Sequence, residues 1–124
     1  MSDISNIVEF NLIVTLTNNL PEFNYTDINN KPVTGDCVIE QEQTITYKLI
    51  DKTDKGLKFV GATFEKPFSK VIDDVWVQDN GQQINLLDLD KVIGKASFRF
   101  VLSNSQNSLM LLSPDPVIIS RGQT

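Results

Sequence analysis

Histidine is absent from the 124 residues, and cysteine occurs once, at Cys37. Without histidine the commonest general base and the commonest zinc or copper ligand are missing, so Ser-His-Asp and Cys-His catalysis cannot be assembled within this chain. A lone cysteine excludes an internal disulfide and any multi-cysteine zinc site. It lies among strand formers, Val33 to Ile39, where a buried and unreactive thiol is expected. The six glycines are scattered, leaving no phosphate-cradling loop and no dinucleotide fingerprint, and no cofactor is expected. Apolar runs are too short to span a membrane, and the opening residues MSDISNIVEF lack the basic and apolar regions of a secretory signal. No membrane partner and a cytoplasmic location are therefore expected, and the sequon Asn24-Tyr25-Thr26 is read as chance. Positive charge is scarce too: the formal net charge is −5, whereas a nucleic-acid partner calls for a basic face to displace counterions.

What is present fits one domain, residues 1–124, large enough to bury a single core without covalent staples. The charge is uneven. Residues 48–70 hold six lysines against Asp51, Asp54 and Glu65, a local net of +3, and residues 71–90 hold five aspartates and no basic residue. A solvated hairpin tip is the ordinary meaning of such a lysine cluster, here Lys52, Lys55 and Lys58.

Period-two alternation recurs along the chain, the mark of strands with one buried face. Beyond a short lead-in over Met1 to Asn6, Val8, Phe10, Leu12, Val14 and Leu16 share one face of a first strand. Phe23 and Tyr25 anchor a second, and Val33 to Glu40 reads as a third. Two alternating runs flank the polar tract from Asp51 to Gly56, so residues 44–64 read as a central hairpin. Asn80-Gly81 is the strongest local hairpin signal, because a type I′ turn requires positive φ at both positions. Asp88 to Gly94 suits a single helical turn. Ala96, Phe98, Phe100 and Leu102 point inward from a late strand, with Arg99 on its outward face, and Val117 to Ser120 closes the series. The expected fold is all-β: an antiparallel two-sheet sandwich of immunoglobulin-like type with eight or nine short strands, a closed barrel being the alternative.

The Asn80-Gly81 turn fixes a register, placing Trp76 opposite Asn85, Val77 opposite Ile84 and Asp73 opposite Asp88. Val75, Val77, Ile84 and Leu86 then form the core face. Asp74, Trp76, Gln78, Gln83 and Asn85 lie on the other. An aromatic plane ringed by amides and a carboxylate is the chemistry of sugar or peptide recognition, and these five are the candidate ligand-binding residues. The alternative is that Trp76 packs beneath a loop. Asp73, Asp88 and Asp90 cluster in sequence near the far end of the hairpin. They are expected to be solvated where the strands splay apart; a calcium site built from them is the less favoured reading, since the spacing matches no EF-hand.

The residues Thr46-Tyr47-Lys48-Leu49-Ile50-Asp51, Leu57-Lys58-Phe59-Val60-Gly61 and Asp115-Pro116-Val117-Ile118-Ile119 resemble a small bacterial group of β-rich proteins, the DP-EP family. The resemblance spans roughly Thr44 to Arg121. It implies a β fold and carries no catalytic residue, because the family is functionally uncharacterised.

The sequence thus points to a soluble, non-catalytic binding or interaction module whose partner is a protein or a small polar ligand. A structural or self-assembling subunit, a homo-oligomer paired through exposed sheet edges, is the second reading. An enzyme built on the carboxylates Asp73 and Asp88 is the third.

Overall fold

A computed structural model describes residues 7–114 and 116–121. Eleven strands follow one another without a helix among the described residues. In chain order they are β1 (Ile7–Thr17), β2 (Leu20–Thr26), β3 (Pro32–Val33), β4 (Cys37–Ile39), β5 (Gln43–Asp51), β6 (Lys58–Phe64), β7 (Asp74–Gln78), β8 (Gln83–Asp88), β9 (Gly94–Ser103), β10 (Met110–Leu112) and β11 (Val117–Ser120). Six form one sheet in the order β3-β2-β1-β5-β8-β7. In the other, β9 carries β6 on one edge, while β10 and then β11 occupy the opposite edge and β4 lies beyond β11.

The inward residues of the alternating strands make one core between the sheets. Leu12, Val14, Ile45, Ile84 and Leu86 of the first sheet meet Phe98, Phe100, Leu102 and Ile118 of the second. Tyr47 is at its centre and fully buried. Its ring stacks on Phe10 at 5.2 Å and meets Phe100 edge-on at 4.7 Å, the tilted and offset geometries that the ring quadrupole favours. Its hydroxyl donates to the Gly35 carbonyl at 2.7 Å, so the phenol is satisfied without water.

Several expectations are corrected here. The sheets are mixed rather than antiparallel: β1 runs parallel to β5, and β11 parallel to β4. The described residues form eleven strands, not eight or nine. The hairpin expected over residues 44–64 does not form, because β5 pairs with β1 and β8 while β6 pairs with β9 in the other sheet. Asp51 accounts for the crossing. Its carboxylate accepts the N–H of Thr53 at 2.9 Å and that of Leu57 at 2.9 Å, folding the polar tract into a closed loop instead of a two-strand turn. The single strand expected over Val33 to Glu40 is two, one in each sheet. Gly35 interrupts it at φ +84°, a conformation incompatible with extended chain. Asp88 to Gly94 contains no helical turn; Asp90 takes a left-handed φ of +58°. The lead-in Met1 to Asn6 and Asp115 lie outside the described residues.

Proline shapes the far edge of β9. Pro114 and Pro116 offer no N–H to a ladder. The hydroxyl of Ser113 substitutes by accepting the Phe100 N–H at 2.8 Å, while the Ser113 N–H donates to Phe100 O at 3.0 Å. The same edge thus continues from β10 into β11.

Candidate functional site

The β7–β8 hairpin carries the candidate residues, and its register is the one the Asn80-Gly81 signal implies. Trp76 pairs with Asn85, Val77 with Ile84 and Gln78 with Gln83. Asn80 and Gly81 have φ of +55° and +87°, and the Gln82 N–H donates to Asp79 O at 3.0 Å. Asp79 adds a third left-handed residue at +57°. The turn also docks onto β6, whose Phe59 N–H donates to Gly81 O at 2.7 Å. A β-carbon at position 81 would come within 2.5 Å of Lys58 Cβ, so glycine is required both by backbone conformation and by contact.

β7 is an edge strand of the six-stranded sheet. On the face turned from the core, Trp76 is 38% exposed. Its indole Nε1–H donates to Gln78 Oε1 at 3.3 Å. The same oxygen accepts Asn85 Nδ2 at 2.7 Å. Asn85 Oδ1 accepts the Thr46 hydroxyl at 2.7 Å and Gln83 Nε2 at 3.1 Å. The result is a continuous polar network across β7, β8 and β5, with Trp76 at its rim.

Of the five candidates, Asp74, Trp76 and Gln78 are exposed, Gln83 is half-buried and Asn85 is buried. Asn85 departs from its expected solvent-facing place: at 2% exposure it is the floor of the network. Asp74 stands apart, its Oδ1 accepting the adjacent Val75 N–H at 2.9 Å. Thr46 joins the site without having been a candidate. Its signal was its place on the polar face of β5, which becomes meaningful once β5 is known to pair with β8. Lys48 and Glu9 border the face as a partly exposed ion pair at 3.6 Å.

Two of the three aspartates depart from the expected solvation. Asp73 is exposed, and its Oδ2 accepts the Leu89 N–H at 2.7 Å. Asp88 and Asp90 are fully buried. Asp88 Oδ1 accepts the Asp90 N–H at 2.7 Å, and Asp90 Oδ1 accepts the Ser120 hydroxyl at 2.7 Å. The pair therefore ties β8 to β11 across the two sheets. Burial pushes the Asp88 carboxyl above its usual range, with the charges of Asp90 and Asp73 adding to it and hydrogen bonds from the Asp90 N–H and Ser120 opposing it. Among the described residues no group of three or more His, Cys, Asp or Glu side chains is arranged to hold a metal ion.

Cys37 is half-buried. Burial, and secondarily Asp88, push its thiol up to about 11. No helix among the described residues is long and apolar enough to cross a membrane.

No curated protein matches the chain. A family model described as the DP-EP family matches residues 8–122, reaching well upstream of the Thr44 at which the resemblance in sequence began. With nearly every strand inside that match, the chain belongs to the DP-EP family.

Proposed function

We propose that the protein is a non-catalytic, immunoglobulin-like β-sandwich module that binds a small polar ligand, a sugar or a short peptide, on the outer face of its six-stranded sheet. The observation that carries this reading is the Trp76 ring: over a third exposed, at a sheet edge, yet tethered through Nε1–H to Gln78. An aromatic plane oriented before a ligand arrives loses little entropy when one stacks on it. Gln78 and Gln83 supply the hydrogen-bonding rim, Asp74 a carboxylate beside it, and Asn85 with Thr46 the support that holds the amides in place. Asp88 is too deeply buried to meet a substrate, which argues against the Asp73–Asp88 enzyme reading.

The test is fluorescence of the only tryptophan. Its emission should be red-shifted and quenched by acrylamide. Trp76→Ala should cost well under the ~3–5 kcal/mol of a core tryptophan. Titration with panels of soluble glycans and peptides should quench the wild type saturably, and Gln78→Ala should abolish the effect. Blue-shifted, quencher-resistant emission would remove the site.

A specific observation favours the second reading, assembly through sheet edges. The short strand β10 exposes Met110 and Leu112 at 58% and 51%, and apolar edges invite pairing. Light scattering separates the two: a defined oligomer supports assembly, and a monomer that responds to ligand supports recognition.

A further inference from the structure

The end of the sandwich where β6 leaves and β9 begins carries a pattern repeated on two loops. Residues 66–70 read Lys-Pro-Phe-Ser-Lys and residues 91–95 read Lys-Val-Ile-Gly-Lys. In each, one large apolar residue is bracketed by lysines two positions away on either side. Phe68 is 91% exposed and Ile93 is 77% exposed, the two highest values among the large hydrophobic residues described. All four lysines are exposed.

The fold brings the loops together. A β-carbon at Gly94 would stand 3.1 Å from Cγ2 of Val71, the residue that follows the first pentapeptide. Lys66, Pro67, Ser69 and Lys70 also line a shared cleft with Ala96, just past the second. Phe68 is not loosely displayed. Pro67 and Phe68 are the corner of a turn closed by the Ser69 N–H donating to Lys66 O at 3.2 Å, and proline presets the backbone there. A phenyl ring held out in water at a rigid corner has no role in the fold's own core.

The pentapeptides hold four of the eleven basic residues of an acidic chain and no acidic residue of their own. Of the nearby carboxylates Asp88 and Asp90 are buried. Glu65, Asp73 and Asp74 are exposed, Asp73 accepting the Leu89 N–H, and Asp73 and Asp74 line the cleft with Lys66 and Lys70. Four lysines against three exposed carboxylates leave this end net positive by one. Apolar tips flanked by lysines complement one kind of surface, an acyl boundary beneath negative headgroups.

We propose that this end docks on an anionic lipid surface, Phe68 and Ile93 entering the acyl boundary while Lys66, Lys70, Lys91 and Lys95 meet the headgroups. The expectation of no membrane partner rested on the want of a spanning segment, and surface docking needs none. The proposal does not rest on the Trp76 reading: of that site's residues only Asp74 lines the cleft with Lys66 and Lys70.

The test is co-flotation of the full chain with vesicles of phosphatidylcholine alone or mixed with phosphatidylserine. Binding to the mixed vesicles only, weakening as salt rises, is expected. Each Lys→Gln change among the four should lower partitioning roughly fivefold. Phe68→Ser combined with Ile93→Ser should lower it by about tenfold or more with an unchanged melting temperature, because neither side chain is buried. No phosphatidylserine-dependent flotation, or flotation indifferent to the Phe68 and Ile93 changes, overturns the proposal. So does light scattering that shows a dimer dissolved by Phe68→Ser, since the occupant of this surface is then a second copy. Binding to soluble polyglutamate that matches binding to vesicles and survives Phe68→Ser overturns it as well, in favour of an acidic polypeptide.

Discussion

Replacing Gly81 by alanine should be among the most damaging single-methyl additions, and two other glycines calibrate how damaging. At Gly61 an added β-carbon meets nothing within 4 Å, and no left-handed φ is involved. Gly61→Ala should change stability by no more than about 0.5 kcal/mol, with a gain from the stiffer unfolded chain in prospect. At Gly56 the φ is +66°, but the nearest atom, Ser105 Oγ, is 3.5 Å away, an ordinary contact. Gly56→Ala therefore isolates the backbone cost, about 1 kcal/mol. Gly81 combines a φ of +87° with a β-carbon 2.5 Å from Lys58 Cβ and 3.2 Å from Phe59 O. Those atoms belong to the stem and backbone of β6 and have no rotamer by which to retreat. Overpacking adds about 1–3 kcal/mol, and the Phe59 N–H bond to Gly81 O is put at risk for roughly another 1 kcal/mol. The sum is about 3–5 kcal/mol, a large part of a domain's ~5–15 kcal/mol. Urea unfolding of the three variants gives the comparison directly. Trp76 sits on the same hairpin, so its emission in Gly81→Ala should shift at lower urea than circular dichroism does, reporting the hairpin lifting from β6. A Gly81→Ala cost within about 1 kcal/mol of the Gly56→Ala cost would refute the docking of the turn on β6.

Two further outcomes follow from the titrating groups. Burial raises the Asp51 carboxyl, but hydrogen bonds from the Thr53 hydroxyl, the Leu57 N–H and the Thr53 N–H outweigh it and hold the group below its usual range. A depressed carboxylate lends stability that is present above the unfolded value, about 4, and is lost as pH falls through the lower folded value. Stability measured by urea unfolding should decline over that acid window, and Asp51→Asn should flatten the decline while costing on the order of 1 kcal/mol at neutral pH. A wild-type decline unchanged in Asp51→Asn would place its source elsewhere. Cys37, with its thiol pushed up to about 11, should react with a disulfide reagent at neutral pH roughly a hundredfold more slowly than a free cysteine. Labelling at the free-thiol rate would show a more open β4 than the one described.

Local signals were legible and partner choice was not. The register of β7 with β8 follows from Asn80-Gly81 and alternation, information contained within about a dozen residues. The inward faces of β1 and β9 were equally plain, because period two needs no knowledge of neighbours. The connection between β5 and β6 was misread because a polar tract of that length serves a hairpin or a crossing between sheets equally well. What decides is the Asp51 carboxylate gathering the loop. Gly35 divided a run of strand formers by a left-handed turn that its neighbours give no hint of. Asn85 was assigned to solvent by alternation, yet its burial comes from Thr46, 39 residues earlier. Asp88 and Asp90 looked solvated because aspartates seldom are buried; the hydroxyl that admits Asp90 belongs to Ser120, 30 residues later.

The parallel pairing of β11 with β4 has a consequence for the order in which the molecule can be made. Among the described residues β4 has no other strand partner in its sheet. The Val117 N–H that donates to Asp36 Oδ1 stands 81 residues further along the chain. As a ribosome delivers residues from the amino end, Cys37 to Ile39 must wait through the synthesis of seven later elements before their strand partner is complete. Throughout that interval Ile39, destined for complete burial, lacks the β11 side of its eventual surroundings. Contacts this distant in sequence close late, after the costly ordering of the intervening chain. The nascent protein therefore passes through a stage in which the six-stranded sheet has all its strands and the other sheet has an open seam, a period when chaperone binding to β4 would matter most.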